Sequence, residues 1–297
     1  MMIKRGSKFL AAALLYFALA SPAHSSGLPD DLRQQLKDYY KRAPAEAVKS
    51  LPEPLQDVAA KAGQAMGHFS PAEEQAIGRQ AAGNLLGAAP LINDPKLQHY
   101  VNLVGRWISL KSDRPDLAWH FGVIESPDIN AFAAPGGYVF VTRGLYQQLH
   151  NESELAGVLA HEIAHVVEKH HLKILGQSRL LDQGGDLLSG QVGENNPISK
   201  MIGTGAELFS RSLDQKAEYE ADSMAMVLTA RAGYDPFGLP TVLQDLGHYS
   251  KGDSDVSLLF KTHPHPDERL AHLDKTGARL DGYKGRVNQD RFYRLRP

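Results

Sequence analysis

The segment His161-Glu162-Ile163-Ala164-His165 constrains this chain most, because it predicts a helix that presents two histidines on one face. Histidines four positions apart on a helix project about one turn apart. Their ring nitrogens can therefore bind one Zn²⁺, at about 2.0–2.1 Å each. Glu162 lies about 100° round the helix from His161. Its carboxylate can reach a water on the metal and act as a general base without being a ligand.

The residues around this segment predict a long, buried helix from Glu152 to about His171. Asn151 is a suitable N-cap, and Glu154 follows three residues later, as in a capping box. Apolar residues surround the histidines and would hold the two rings still: Leu155, Val158, Leu159, Ile163, Val166 and Val167. Because the same five-residue pattern also arises by chance on surface helices, a metal site needs a third ligand.

A second predicted helix, from about Leu213 to Ala232, supplies candidates for that ligand. Glu218 and Asp222 are four positions apart and share a face. One carboxylate can bind the metal while the other accepts a hydrogen bond from a ligand histidine and fixes its tautomer. Spacing alone leaves open which residue does which. Glu220 points about 200° away from Glu218 and is expected in solvent. Small residues would let this helix pack closely against another: Ala217, Ala221 and Ala225.

A rival class of metal site has a third histidine six positions after the second, with a glycine between them. His171 occupies the position of that histidine, but Glu168 stands where the glycine is required. We therefore expect the helix to continue through Glu168 and to carry His171 about 15 Å along the axis from His161. His170 and His171 are then helix-end residues, stabilised near the negative end of the helix dipole.

The rest of the sequence predicts a mostly helical α+β domain, with the active-site helices packed against a small sheet. Ser70-Pro71 and Asp94-Pro95 each begin a helix, and strands are predicted at 119–124 and 137–142. The helix after Asp94 carries an apolar stripe that is expected in the core: Leu97, Tyr100, Val101, Val104, Trp107 and Ile108.

Composition restricts both partners and ligands. The 297 residues are 42% hydrophobic and carry a net charge of -2, without a basic stripe interleaved with aromatic residues, so we expect no nucleic-acid partner. The chain has no cysteine. Any metal must therefore be held by histidine and carboxylate groups.

The first 25 residues resemble a cleaved signal peptide. Lys4, Arg5 and Lys8 precede an apolar run from Phe9 to Ala20, and small residues up to Ser25 suit cleavage. Twelve apolar residues are too few to cross about 30 Å of hydrocarbon comfortably. We therefore expect an exported, periplasmic protein with no membrane span in the mature chain and no lipid anchor.

The predicted organisation has four parts. Residues 1–25 form the signal peptide, 26–68 an N-terminal helical segment, and 69–279 the metal-binding domain. The mildly basic residues 280–297 are expected to form a solvated C-terminal tail.

Four segments together resemble the zinc endopeptidase family that includes the bacterial HtpX and BepA proteases and the CaaX prenyl proteases. The matching residues run from Asn130, Ala131 and Phe132 through Pro135, Gly136 and Gly137, then His161 to His165, Glu218 to Asp222, and Thr262-His263-Pro264 with Arg269. The resemblance covers roughly Ser70 to Leu273 and is closest to the soluble BepA-like branch. The 34-residue helical repeats of a BepA-type protein do not follow, so assembly partners are unknown.

The resemblance implies a zincin fold of the gluzincin type with one Zn²⁺ per subunit, held by His161, His165 and Glu218. Asp222 would then orient a ligand histidine. The resemblance also implies that the strand after Gly137 borders the cleft, where an extended substrate could add as a strand. His263 would be a displaceable fourth ligand or a transition-state hydrogen-bond donor. Arg269 is expected to pin its loop by an ion pair.

The sequence thus predicts a periplasmic zinc-dependent endopeptidase with Glu162 as general base, and the family resemblance implies that it hydrolyses unfolded or misassembled envelope proteins. The alternative is a chaperone-like binding protein whose zinc site is silenced by His263. The complete set of three ligands and Glu162 argues against it, since a closed structural site does not need that glutamate.

Overall fold

A computed structural model describes residues 69–176, 215–250 and 253–295. Nearly all of them belong to one compact unit built from residues 71–171 and 198–297. The predictions for residues 1–25 and 26–68, and for the start of the helix before Gln215, lie outside the described residues. In the part of the chain that the structure describes, no helix is long and apolar enough to cross a membrane.

The predicted mostly helical α+β architecture is confirmed. Three strands form one small sheet: β1 (His120–Ile124), β2 (Ala131–Ala134) and β3 (Tyr138–Thr142). The helices are α1 (Pro71–Ala88), α2 (Pro95–Ser109), α3 (Arg143–Gln148), α4 (Glu152–Val167), α5 (Gln215–Arg231), α6 (Gly238–Leu246), α7 (Leu259–Thr262), α8 (Pro266–Leu280) and α9 (Gln289–Tyr293), with a 3₁₀ turn at Ser254–Val256.

Local signals fix where α2 and α4 begin. The Asp94 carboxylate accepts hydrogen bonds from the backbone N–H groups of Lys96 and Leu97 at 3.0 and 3.1 Å, and so caps α2. Asn151 caps α4 in the same way, by accepting from the N–H of Glu154 at 3.1 Å. The apolar stripe of α2 is buried as predicted, except for Trp107, which is 43% exposed.

The order of the sheet is β1-β3-β2, with β1 parallel and β2 antiparallel to β3. This corrects the expectation for the strand after Gly137. That strand is β3, which is paired on both sides and cannot accept a further strand. The edge strand on the other side of the turn is β2. Gly136 and Gly137 adopt φ angles of +79° and +97° between them, which other residues rarely tolerate.

The two long site helices end differently. Gly233, with φ +82°, follows the end of α5, close to the predicted end at about Ala232. The prediction that α4 continues to His171 is wrong, because the helix ends at Val167 and the chain turns through Glu168. Lys169 has the left-handed φ of +56°, although it is not a glycine. The chain becomes helical again from residue 170.

The C-terminal segment is anchored to the domain, although most of its described residues are exposed, as expected for a solvated segment. Phe292 is fully buried and its ring stacks on Tyr146. The Val287 carbonyl accepts a hydrogen bond from the N–H of Glu152 at the start of α4. The buried Glu152 carboxylate in turn accepts hydrogen bonds at 2.6–2.9 Å from four side chains: Tyr100, Tyr234, Asn288 and Arg291. This cluster anchors the N-terminus of α4 to the C-terminal segment.

Replacing Glu152 with alanine should lower the free energy of unfolding by about 3–5 kcal/mol, because buried donors lose their common acceptor. Urea denaturation measures this change. Arg291→Ala is the matched control, since Arg291 is 47% exposed and its loss should cost less than about 1 kcal/mol. Equal unfolding midpoints for the wild type and Glu152→Ala would contradict the anchoring role.

Candidate metal centre

Close packing of α4 against α5 forms the site. Ala221 and Ala225 of α5 are fully buried, as the predicted close approach requires. Small side chains let two helix backbones approach, so polar groups on the facing turns come within hydrogen-bond range. His161 and His165 of α4 thereby face Glu218 and Asp222 of α5, and all four side chains are buried.

Four side chains can direct one ligand atom each toward a common point: His161, His165, Glu218 and His263. These atoms all lie within 4.8 Å of one another. The Nε2 atoms of His161 and His165 are 2.9 Å apart. Their distances to the Glu218 carboxylate oxygens are 3.6 and 3.5 Å. The structure therefore brings together the three predicted ligands and His263.

The spacing of these donors fits a small tetrahedral ion. Two ligands at about 2.05 Å on such an ion lie about 3.3 Å apart. The three distances among His161, His165 and Glu218 bracket this value. Burial lowers the pKa of His165 well below its usual range and so favours the neutral imidazole that a metal requires. Burial raises the pKa of Glu218, but His263 and Arg269 hold it below its usual range, in favour of the ionised ligand.

Asp222 holds the outer side of His161. Its Oδ1 lies 2.9 Å from Nδ1 of His161, so the ring can direct Nε2 inward. The predicted ion pair of Arg269 is present, and its partner is Asp222: Nε and Nη2 donate to the two carboxylate oxygens at 2.9 and 2.6 Å. Burial alone would raise the pKa of Asp222, but Arg269 and His161 depress it strongly.

His165 has a different outer partner, which the sequence reasoning missed. The Nδ1 of His165 lies 2.9 Å from Nδ1 of His170, which is buried. His170 therefore does not lie at the end of the helix that carries His165, as predicted, but beyond it and in contact with a candidate ligand. Glu220 is half exposed, and its Oε2 lies 3.6 Å from Nε2 of His170. His171 lies near the site too, with its ring centroid 6.0 Å from that of His165, but it is outside the group of four.

No sequence signal pointed to His170, because a residue five positions after His165 cannot face it on a continuous helix. The turn at Glu168 and Lys169 brings the ring of His170 back against that of His165. The sequence predicted an unbroken helix because no glycine is present at Glu168. The chain nevertheless turns here without a glycine.

Glu162 lines the same cavity as His161 and is buried. Burial, partly offset by His161 and His263, raises the pKa of its carboxyl group. The cavity is open to solvent on one side, and its empty space, including part of that solvent, is about 360 Å³. Apart from the polar groups of the site its wall is apolar: Ala131, Leu145, Val158, Leu239, Val242, Leu243, Leu246 and Leu259.

His263 follows α7, and its Nδ1 lies 2.9 Å from both oxygens of Glu218. Burial lowers the pKa of His263, but the Glu218 carboxylate more than compensates and raises it. The neighbouring His265 instead pairs with Asp267 at 3.3 Å. The loop thus presents one histidine to the centre and the other to a surface carboxylate.

The predicted cleft residues separate into two groups. Asn130 and Phe132 are buried, and Ala131 lines the cavity beside His161 and Glu162. Pro135, Gly136 and Gly137 form the turn at the far end of β2 and are not among the cavity residues. The border of the cavity is therefore β2.

These features define a buried candidate metal centre of two histidines and a carboxylate with a further carboxyl group, that of Glu162, beside it, as in metallohydrolases. The family profile described as Peptidase family M48 matches residues 95–277. The chain belongs to this family. The resemblance inferred from the four motifs is thereby confirmed, and the domain is that of a peptidase family.

Curated relatives support the same branch. The chain is 31% identical over 249 residues to the beta-barrel assembly-enhancing protease of Yersinia pestis, covering 81% of this chain and 51% of the relative. It is 32% identical over 225 residues to that of Escherichia coli K12, covering 73% and 46%. A mitochondrial metalloendopeptidase OMA1 of Schizosaccharomyces pombe is 32% identical over 179 residues, covering 59% and 52%. The chain spans about half the length of these relatives.

Proposed function

We propose that this chain is a zinc-dependent endopeptidase that cleaves unfolded or misassembled proteins of the cell envelope. The observation that carries the proposal is the convergence of His161, His165 and Glu218 at tetrahedral spacing with Glu162 beside them. A set of two nitrogens and one carboxylate oxygen suits Zn²⁺ and leaves a fourth position for chemistry. The fold would be a zincin of the gluzincin type.

When bound, zinc would act as a Lewis acid on the scissile carbonyl and lower the pKa of a water. Glu162 is the general base, and its carboxylate takes the proton from the attacking water and returns it to the leaving amine. Burial raises the pKa of this carboxyl group toward neutral pH, which suits a group that must first accept a proton and then donate it. Asp222 and Arg269 act indirectly by fixing the ring of His161.

His263 restrains this centre in the proposed resting state. Its imidazole occupies the side of Glu218 where a fourth ligand would lie. It therefore competes with substrate for the open position. The alternative role is a hydrogen-bond donor to the transition state after displacement.

The cavity would bind an apolar side chain of the substrate next to the scissile bond. Its wall is aliphatic apart from four polar residues, which are His161, Glu162, His263 and Arg269. Folded proteins bury such side chains, whereas unfolded ones expose them. The substrate would extend along β2, which borders the cavity through Ala131.

The proposed periplasmic location has a separate basis. The basic residues and short apolar run within residues 1–25 have the order of a signal peptide. The names of the bacterial relatives refer to assembly of beta-barrel proteins, which is consistent with substrates in the cell envelope.

Glu162→Gln should reduce cleavage of unfolded casein by about 10²–10⁴-fold, because the proton acceptor is lost, while bound zinc stays at the wild-type level. Glu218→Gln should instead lose zinc in a chelator challenge. Glu168→Gln, at the end of the same helix, is the matched control and should keep both properties. If Glu162→Gln cleaves casein at the wild-type rate, the proposed function fails.

His263→Ala should raise casein turnover and speed the exchange of zinc for cobalt, because the competing imidazole is removed. His265→Ala controls for loss of a loop imidazole. A fall in turnover with unchanged exchange would contradict the restraint and assign His263 to the transition state.

Val242→Phe should narrow the cavity and lower kcat/KM for a peptide with leucine at the scissile bond by about 10-fold or more. A peptide with alanine there should be much less affected. Thr241→Phe is the matched control, since Thr241 is exposed on the same helix. Equal losses for both peptides would show that the cavity does not hold the substrate side chain.

A further inference from the structure

The two ligand histidines have chemically different outer partners. Nδ1 of His161 faces the Asp222 carboxylate, which Arg269 clamps. Nδ1 of His165 faces the imidazole of His170 at 2.9 Å. His170 is only 3% exposed, so its ring is held by its surroundings.

The chain reaches this contact through an uncommon backbone conformation. Lys169 adopts φ +56° directly after the last turn of α4. Residues other than glycine rarely adopt this conformation, so surrounding contacts must maintain it. The Arg114 guanidinium donates to the Val166 carbonyl at 3.0 Å and stabilises the end of the helix. The turn then returns His170 to the face that carries His165.

The hydrogen positions follow from the site. Once Nε2 of His165 binds the metal, the remaining proton of this neutral ring is on Nδ1, which donates. The Nδ1 of His170 must then accept, so His170 carries its proton on Nε2. That nitrogen lies 3.6 Å from Oε2 of Glu220, which is half exposed. The contact between the two rings therefore has one donor and one acceptor, and the Glu220 carboxylate lies near the outer N–H of His170, beyond the distance of a direct hydrogen bond.

We propose that His170 is a positioning residue that fixes the tautomer and ring orientation of His165. The inference rests on the proposed function only in taking His165 as a zinc ligand. Because the acceptor is a neutral imidazole, it orients His165 without adding a full negative charge to the centre. His161, by contrast, is held by a carboxylate whose charge Arg269 offsets.

The test measures metal binding, not proteolysis. His170→Leu removes the acceptor and should weaken zinc affinity by about 10–100-fold, as measured by competition with a chromophoric chelator. It should also alter the visible absorption of the cobalt-substituted protein. His170→Gln, which offers an amide oxygen to Nδ1–H, should stay within a few-fold of the wild type and recover its spectrum. His171→Leu is the matched control and should bind zinc as the wild type does.

Three results would overturn the proposal. These are wild-type zinc affinity and spectrum for a folded His170→Leu, equal losses for His170→Leu and His171→Leu, or a loss of more than about 10-fold for His170→Gln. If His170→Leu does not fold, the zinc affinities of His170→Gln and His171→Leu decide whether the proposal stands. Zinc binding by Glu162→Gln, which is inert toward casein under the proposed function, separates failure of this inference from failure of the catalytic assignment.

Discussion

Burial of three carboxylates between two closely packed helices is the constraint on which the centre depends. Glu162, Glu218 and Asp222 are each no more than 3% exposed. Ionised carboxylates in such a place are costly unless cations or donors compensate them. Arg269 offsets one charge through its paired contacts with Asp222. His263 contacts Glu218, and a divalent ion between Glu218 and the histidines would offset the negative charge that remains, so charge and geometry both favour a metal.

At the other end of α4, a buried carboxylate is stabilised by hydrogen bonds and an ion pair alone. The Glu152 carboxylate is also buried, but two tyrosine hydroxyls, an amide and Arg291 surround it. Burial together with this carboxylate raises the pKa values of Tyr100 and Tyr234, so both remain donors. Glu218 differs because its oxygens converge with ring nitrogens that can act as acceptors. The first pattern anchors a helix, and the second is suited to binding an ion.

Much of this arrangement could be predicted from local sequence, and the failures share one cause. The helix caps at Asp94 and Asn151 depend only on neighbouring residues, and the placement of His161 and His165 on one face depends only on helix geometry. Both features could therefore be predicted from the sequence. The turn at Lys169 could not, because no glycine or asparagine marks it and tertiary contacts maintain the conformation. β2 was missed because Ala-Phe-Ala-Ala has little strand propensity. The basic composition of residues 280–297 suggested solvent, and most of the described ones are exposed, yet one buried ring, Phe292, anchors the segment to the core.

The corrected position of the edge strand also changes what the centre can accept under the proposed function. β3 is paired on both sides, whereas β2 is at the edge of the sheet and carries Ala131 at the cavity wall. A substrate along β2 would need an extended backbone and would place a side chain among the leucines of α6. A folded domain offers neither an unpaired backbone nor a free apolar side chain. Under the proposed function, selectivity for unfolded chains would then follow from the burial of the centre.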